Sequence, residues 1–325
     1  MENKTYPFDL LTMKSLGLDK WINEFFNDWP ITIDEMSEIH STIKNMFNSY
    51  ILDKSIGYSE ILLTSYKLLY EYTIFAIHVI ALNRLTLQRL NVSYNPNTPY
   101  IDFLVGDNEE IKTFAYSNKL IPLIPNASYK IKQRIKNYLK FNNGQASDLS
   151  HNNNDGHYLC ILRPTKELIS FANSHNRAVK VIYPYNFFNS SNYIPRDYKE
   201  ITGSIVEDLL NIINHFGTKV DNRKIFVLKT LTKNILEKID LNIFQISQYF
   251  EKIKPTHVLT PIFGNIFSRS VCMAAKRNNH KIVGHSHGNN IGLMKIPLWG
   301  DIELSLADVF IVKNNISKKL MESYV

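Results

Sequence analysis

Apolar and polar positions follow two different rhythms along this chain. Over the first 140 residues apolar side chains recur at helical spacing, which predicts helices at 10–27, 34–52 and 58–90. Asp34, just ahead of Glu35 and Met36, is a candidate N-cap, and Pro96 and Pro99 mark the exit from the third helix. From residue 157 the rhythm changes. Short apolar runs at 157–162 (HYLCIL) and 178–183 (AVKVIY) flank a helical stretch at 164–173, as a parallel crossover requires. Helical stretches follow at 199–216, 223–238 and 243–253. Alternation then resumes with a strand at 256–260 behind Pro255, a helix at 264–279 and a strand beginning at 281–283. A strand at 308–312 (DVFIV) and a helix at 316–324 close the chain. The expected architecture is α/β: a mainly helical region over 1–140, then a doubly wound parallel sheet over 157–325 with ligands at the strand carboxyl ends.

Residues 141–156 (FNNGQASDLSHNNNDG) separate the two halves and are nearly free of apolar side chains. Burial there cannot offset the entropy of ordering, so the stretch reads as a polar linker or surface loop. Composition narrows the picture further. Of 325 residues, 44% are hydrophobic and 21% charged, which excludes global disorder. The two cysteines, Cys160 and Cys272, exclude a disulfide scaffold and fit a reducing compartment. The best membrane-span candidate, 61–82, carries Lys67, Glu71 and His78, and a lysine alone costs roughly 2.5–3.5 kcal/mol at a helix centre in lipid. A cytoplasmic location is expected. The net charge of +7 is local, because Lys130, Lys132, Arg134, Lys136 and Lys140 in the segment 129–140 supply five of the seven. That segment is either a solvated helix face or a basic amphipathic helix resting on an anionic membrane at its inner face. A patch of this kind gives no support for a nucleic-acid partner.

Chemistry concentrates at Gly284-His285-Ser286-His287-Gly288, directly after a buried-strand pattern. Three readings compete for it. As G-x-S-x-G it looks like the nucleophile elbow of α/β-hydrolase esterases, with Ser286 as nucleophile. In that family the acid and histidine follow the serine, yet no histidine follows His287, and Pro297 interrupts the helix after the turn. As H-x-H on an extended segment, His285 and His287 point to one face, and His257 or Asp301 would have to supply a third metal ligand. No second cluster of ligating residues supports a metal.

The third reading uses the whole C-terminal stretch. KPTHVLTP, a helix, KIVGHSHGNNIG and LADVFIV together resemble the N-terminal half of GT-B glycosyltransferases, specifically those of bacterial surface-polysaccharide and capsule biosynthesis. The matching residues are Pro255, Arg269, Ala275, His287-Gly288 and Ala307-Asp308, over 255–325, with weaker support from 157 onward. The resemblance implies a Rossmann-like fold, a nucleotide-sugar donor and a glycan or lipid-linked acceptor. It implies His287 as the base that takes the acceptor proton, with Asp301 as the other candidate. Arg269, Lys295, His285, Gly288 and Asn289 would line the substrate site, through cations, imidazole and backbone N–H groups. It also implies a missing second domain, and hence a chain inactive alone. A non-catalytic binding module using the basic helix is the remaining alternative. Each residue has a plainer role beside these: His285 hydrogen-bonded in the sheet end, His257 in core or edge, Arg269 in an ion pair, Trp299 in packing, and Asp308 holding a backbone N–H at a strand start.

Overall fold

The computed structural model describes residues 5–53, 57–94, 104, 158–161, 165–177, 179–182, 193–194, 196–261, 263–285, 302, 304–312 and 314–322. The chain forms a mixed α/β structure of two compact units that interleave along the sequence. Met1–Leu62, Leu68–Leu120 and Asp197–Leu236 make the first unit, and Leu63–Lys67, Ile121–Arg196 and Glu237–Val325 the second. The helical stretch near 199–216 therefore joins the helical unit, although sequence order groups it with the strands. The linker at 141–156 and the basic segment at 129–140 lie outside the described residues.

The first unit packs helices α3 (Ile33–Leu52), α5 (Leu68–Leu87) and α7 (Lys199–His215) against one another. Helix α3 buries one stripe, Ile39, Ile43 and Phe47, at intervals of four, which is the helical period at work. Helix α5 is buried nearly all round, from Leu68 and Tyr72 through Ile80 to Leu85, so it forms the centre of this unit. Its polar groups find partners inside: Tyr72 Oη and Thr232 Oγ1 lie 2.8 Å apart, and His40 Nδ1 lies 3.3 Å from Thr73 Oγ1. Among the described residues no helix is long and apolar enough to cross a membrane.

Helix boundaries differ from the expected ones at four places, each for a local reason. The 10–27 helix is two, α1 (Leu10–Leu16) and α2 (Leu18–Glu24), because Gly17 takes a φ of 94° that helical residues cannot adopt. Thr32, not Asp34, caps α3: its hydroxyl accepts from Glu35 N while the Glu35 carboxylate accepts from Thr32 N, a capping box. The 58–90 helix breaks into α4 (Ser59–Thr64) and α5, with a turn between them. Conversely, 223–238 and 243–253 are parts of one helix, α8 (Asn222–Ile253), whose intervening residues include no glycine or proline. A short parallel pair, β1 (Thr5–Pro7) with β2 (Asn91–Ser93), has no counterpart in the expected elements, because three residues carry too little periodicity.

The second unit holds a five-stranded, wholly parallel sheet in the order β4-β3-β5-β6-β7. The strands are β3 (Tyr158–Ile161), β4 (Val179–Ile182), β5 (His257–Thr260), β6 (Lys281–His285) and β7 (Val309–Ile311). Helix α6 (Lys166–Ser174) follows β3, α9 (Ile266–Arg277) follows β5, and α10 (Asn315–Glu322) follows β7. Leu168 and Ala172 of α6 pack with Tyr158, Leu259 and Val283 into a fully buried core, joined by Phe171, Val179 and Ile311. Parallel register puts these strand residues on one face, so that face is the one α6 covers.

His78, on the central helix α5, is crowded enough that desolvation lowers its pKa to about 4. The neutral ring is favoured in the fold, so its contribution to stability is complete above pH 6.5 and is lost as pH falls toward 4. In urea unfolding at pH 7 and pH 4, His78→Gln is expected to shrink the stability difference by roughly 2 kcal/mol, allowing for partial exposure of the ring. An unchanged difference would show that His78 does not drive the acid limb.

Candidate functional site

In a parallel sheet every strand ends at the same edge, and the helix after each strand begins there with its N–H groups outward. Here α6 starts behind a Thr165 cap, whose Oγ1 accepts from Leu168 N at 3.3 Å. Helix α9 starts behind an Asn265 cap, whose Oδ1 accepts from Ser268 N at 2.8 Å. Chain order reverses between β3 and β5, because β3 pairs with β4 on one side and β5 on the other. The carboxyl ends of β3, β5 and β6 beside that reversal are the candidate site.

His285 is the last residue of β6, in register with Ile311, and only 2% exposed. The strand that begins at Lys281 runs on into the GHSHG segment as expected, so His285 belongs to the sheet itself. Strand alternation puts its side chain on the same face as Val283, the face that α6 covers. Across this face Glu167, in the first turn of α6, brings Oε2 to 3.6 Å from His285 Nε2. Glu167 has no counterpart among the expected site residues. A carboxylate early in a helix is an ordinary helix-start signal, and nothing in TKEL marks it as part of a site. Of the other expected residues, Ser286, His287, Gly288, Asn289, Lys295 and Asp301 lie outside the described residues, as does Trp299.

Arg269 is a correction. It is fully buried on α9 rather than facing a phosphate or forming an ion pair. Its Nε donates to Thr64 O at 2.8 Å and Nη1 to Ile302 O at 2.7 Å. Nη2 donates to Leu63 O and, at 3.0 Å, to Ser305 Oγ. The guanidinium also lies 5.9 Å from the centre of the Tyr66 ring. Desolvation brings its pKa down to about 10, so it stays charged at neutral pH. With its donors committed to these acceptors, it is a structural strut. One turn along, burial pushes the Cys272 thiol up to about 12, which makes it a poor nucleophile.

His257 is also separated from the site. It opens β5 in register with Lys281, whereas His285 lies four residues further along β6, about 13 Å at strand rise. The two cannot share a metal ion. Instead the His257 ring lies 4.5 Å from that of Tyr158, and burial, then His175, Lys281 and Arg177, lower its pKa. Among the described residues no group of three or more His, Cys, Asp or Glu could hold a metal ion.

Gly284 has a packing explanation. A Cβ there would sit 2.7 Å from Phe310 Cδ2 and closer still to Phe263 Cε2, so two rings occupy the space a side chain needs. Asp308 does hold a backbone N–H at the start of β7, but on the neighbouring strand: Oδ2 accepts from Ile282 N at 2.8 Å. Lys276 Nζ, 3.5 Å from its other oxygen, balances the charge.

No family model, curated protein or solved structure matches the chain.

Two stability measurements check these assignments. Arg269→Met withdraws donors from three buried carbonyls and should cost about 3 kcal/mol in chemical denaturation. Arg269→Lys should recover only part, since one ammonium cannot span the same acceptors. Gly284→Ala should cost about 2 kcal/mol by overpacking, and Phe263→Leu in the same chain should restore part of it. A Met variant as stable as the parent, or an Ala variant with no loss, would refute the respective role.

Proposed function

We propose that the chain is a glycosyltransferase-like protein of surface-carbohydrate biosynthesis, acting at the cytoplasmic side of the membrane. In this reading its second unit is a Rossmann-like, doubly wound domain that works at the carboxyl edge of its sheet. The observation that carries the reading is the parallel order β4-β3-β5-β6-β7, reversing between β3 and β5, with His285 ending β6. Open parallel sheets take ligands where the order reverses, outside the strand carboxyl ends. The residues behind the resemblance fall on or just before elements of this part of the chain. Pro255 precedes β5, Arg269 and Ala275 lie on α9, and Ala307-Asp308 leads into β7.

The chemistry this reading requires is transfer of a glycosyl group from a nucleotide-sugar to a hydroxyl of a glycan or lipid-linked acceptor. The hydroxyl oxygen bonds to the anomeric carbon as the bond to the diphosphate breaks, and a base takes the hydroxyl proton. His287 is the candidate base, with Asp301 as the other, and Ser286, Gly288, Asn289 and Lys295 as neighbours. Arg269 drops out of this set because its donors are committed inside the fold.

Saturation-transfer NMR with UDP- and GDP-sugars and a panel of capsular oligosaccharides tests the reading. Contact with at least one of these ligands is expected, and it should disappear in a His285→Gln variant with unchanged thermal unfolding. A folded protein that touches none of them, or binding indifferent to His285, would sink the proposal.

A further inference from the structure

We propose that Glu167 is a positioning residue for His285, a carboxylate delivered by the start of α6 whose charge favours the protonated form of the buried imidazole. The inference rests on the reading above only for the location of the site. Its physical basis is the geometry of the pair. Glu167 Oε2 lies 3.6 Å from Nε2, within ion-pair range, and joins the helix after β3 to the end of β6, across the intervening strand β5.

The carboxylate is held in place from its own side. Thr165 caps the helix two residues before it, and Leu168, directly after it, is fully buried in the core of this unit. It sits in the first turn of the helix, whose N-terminus presents positive partial charge. The exposures of the two groups are complementary. Glu167 is 47% exposed and reaches solvent, whereas His285 is 2% exposed, so the carboxylate couples a buried ring to the outside.

Of the groups around the ring, Glu167 comes from α6 and the uncharged Ile311 lies in register on β7. Lys166, the next residue to Glu167, is exposed. A carboxylate 3.6 Å from Nε2 favours the doubly protonated ring, because the opposite charge stabilises the imidazolium.

The test is an NMR titration of the His285 ring in the full chain, read from ¹⁵N-histidine chemical shifts. Glu167→Gln is expected to lower the His285 pKa by about one unit, a tenfold change in the protonation equilibrium, as one charge at this distance in a partly screened setting implies. Glu167→Asp should fall between parent and Gln variant. A second measurement needs no variant: in the parent protein about 1 M salt should lower the His285 pKa, because Glu167 is open to screening. A His285 titration unmoved by both Glu167→Gln and salt would overturn the assignment. Neither readout involves a sugar or nucleotide, so failure here leaves the glycosyltransferase reading standing, and failure of ligand binding leaves this pair standing.

Discussion

The second unit depends on one buried cation. Arg269 occupies the interior with its guanidinium spread over carbonyls from two remote stretches of chain, Leu63–Thr64 and Ile302. Taking a guanidinium out of water is costly, and several well-aligned acceptors are needed to offset it. The planar fork meets that need, because its donors point in fixed directions that separate peptides can satisfy together. Leu63 and Thr64 end a short helix, where backbone carbonyls lack intrahelical donors. Ile302 and Ser305 lead into β7, so the same side chain fixes the entry of that edge strand. Ten consecutive residues of α9, Ile266–Ala275, are buried, which leaves the arginine no route to the surface.

The sheet gathers the candidate site on this framework. Parallel pairing aligns all five strands, so one edge collects the ends of β3, β5 and β6 together with the starts of α6 and α9. Gly284 lets the Phe263 and Phe310 rings close on β6 just before its last residue. Asp308 ties the far side of the same strand to β7 through Ile282 N. His285 is thus the end of a strand held on both flanks, and a rigid scaffold is what a positioned imidazole requires. The opposite edge carries different chemistry. There the rings of His257, Tyr158, Phe171 and His175 meet in an aromatic cluster, away from the carboxyl end.

Much of the fold was legible in the sequence. The runs HYLCIL, AVKVIY, THVLT and DVFIV identified strands because buried parallel strands are largely apolar. Helices α3, α6, α7 and α9 were legible within a residue or two at most of their ends. Boundaries failed where a single residue decided them: the positive φ at Gly17, the Thr32–Glu35 capping box, and the turn between α4 and α5. Of the site, the chain position of His285 was readable from its place after an apolar strand. Its partner was not, because Glu167 lies 118 residues away in sequence and resembles any first-turn carboxylate.

The sequence by itself determined the main elements of the second unit, their order, and the alternation that makes a parallel sheet. Periodicity carries that information because it is set by neighbours three, four or two residues apart. Only the tertiary structure decided that Arg269 is a strut rather than a ligand, that His257 and His285 belong to opposite edges, and that 199–216 joins the helical unit. Those outcomes depend on which distant groups meet, as Arg269 and Thr64 do across 205 residues of chain. A buried charge shows its purpose only through the acceptors that surround it, and no local pattern records them.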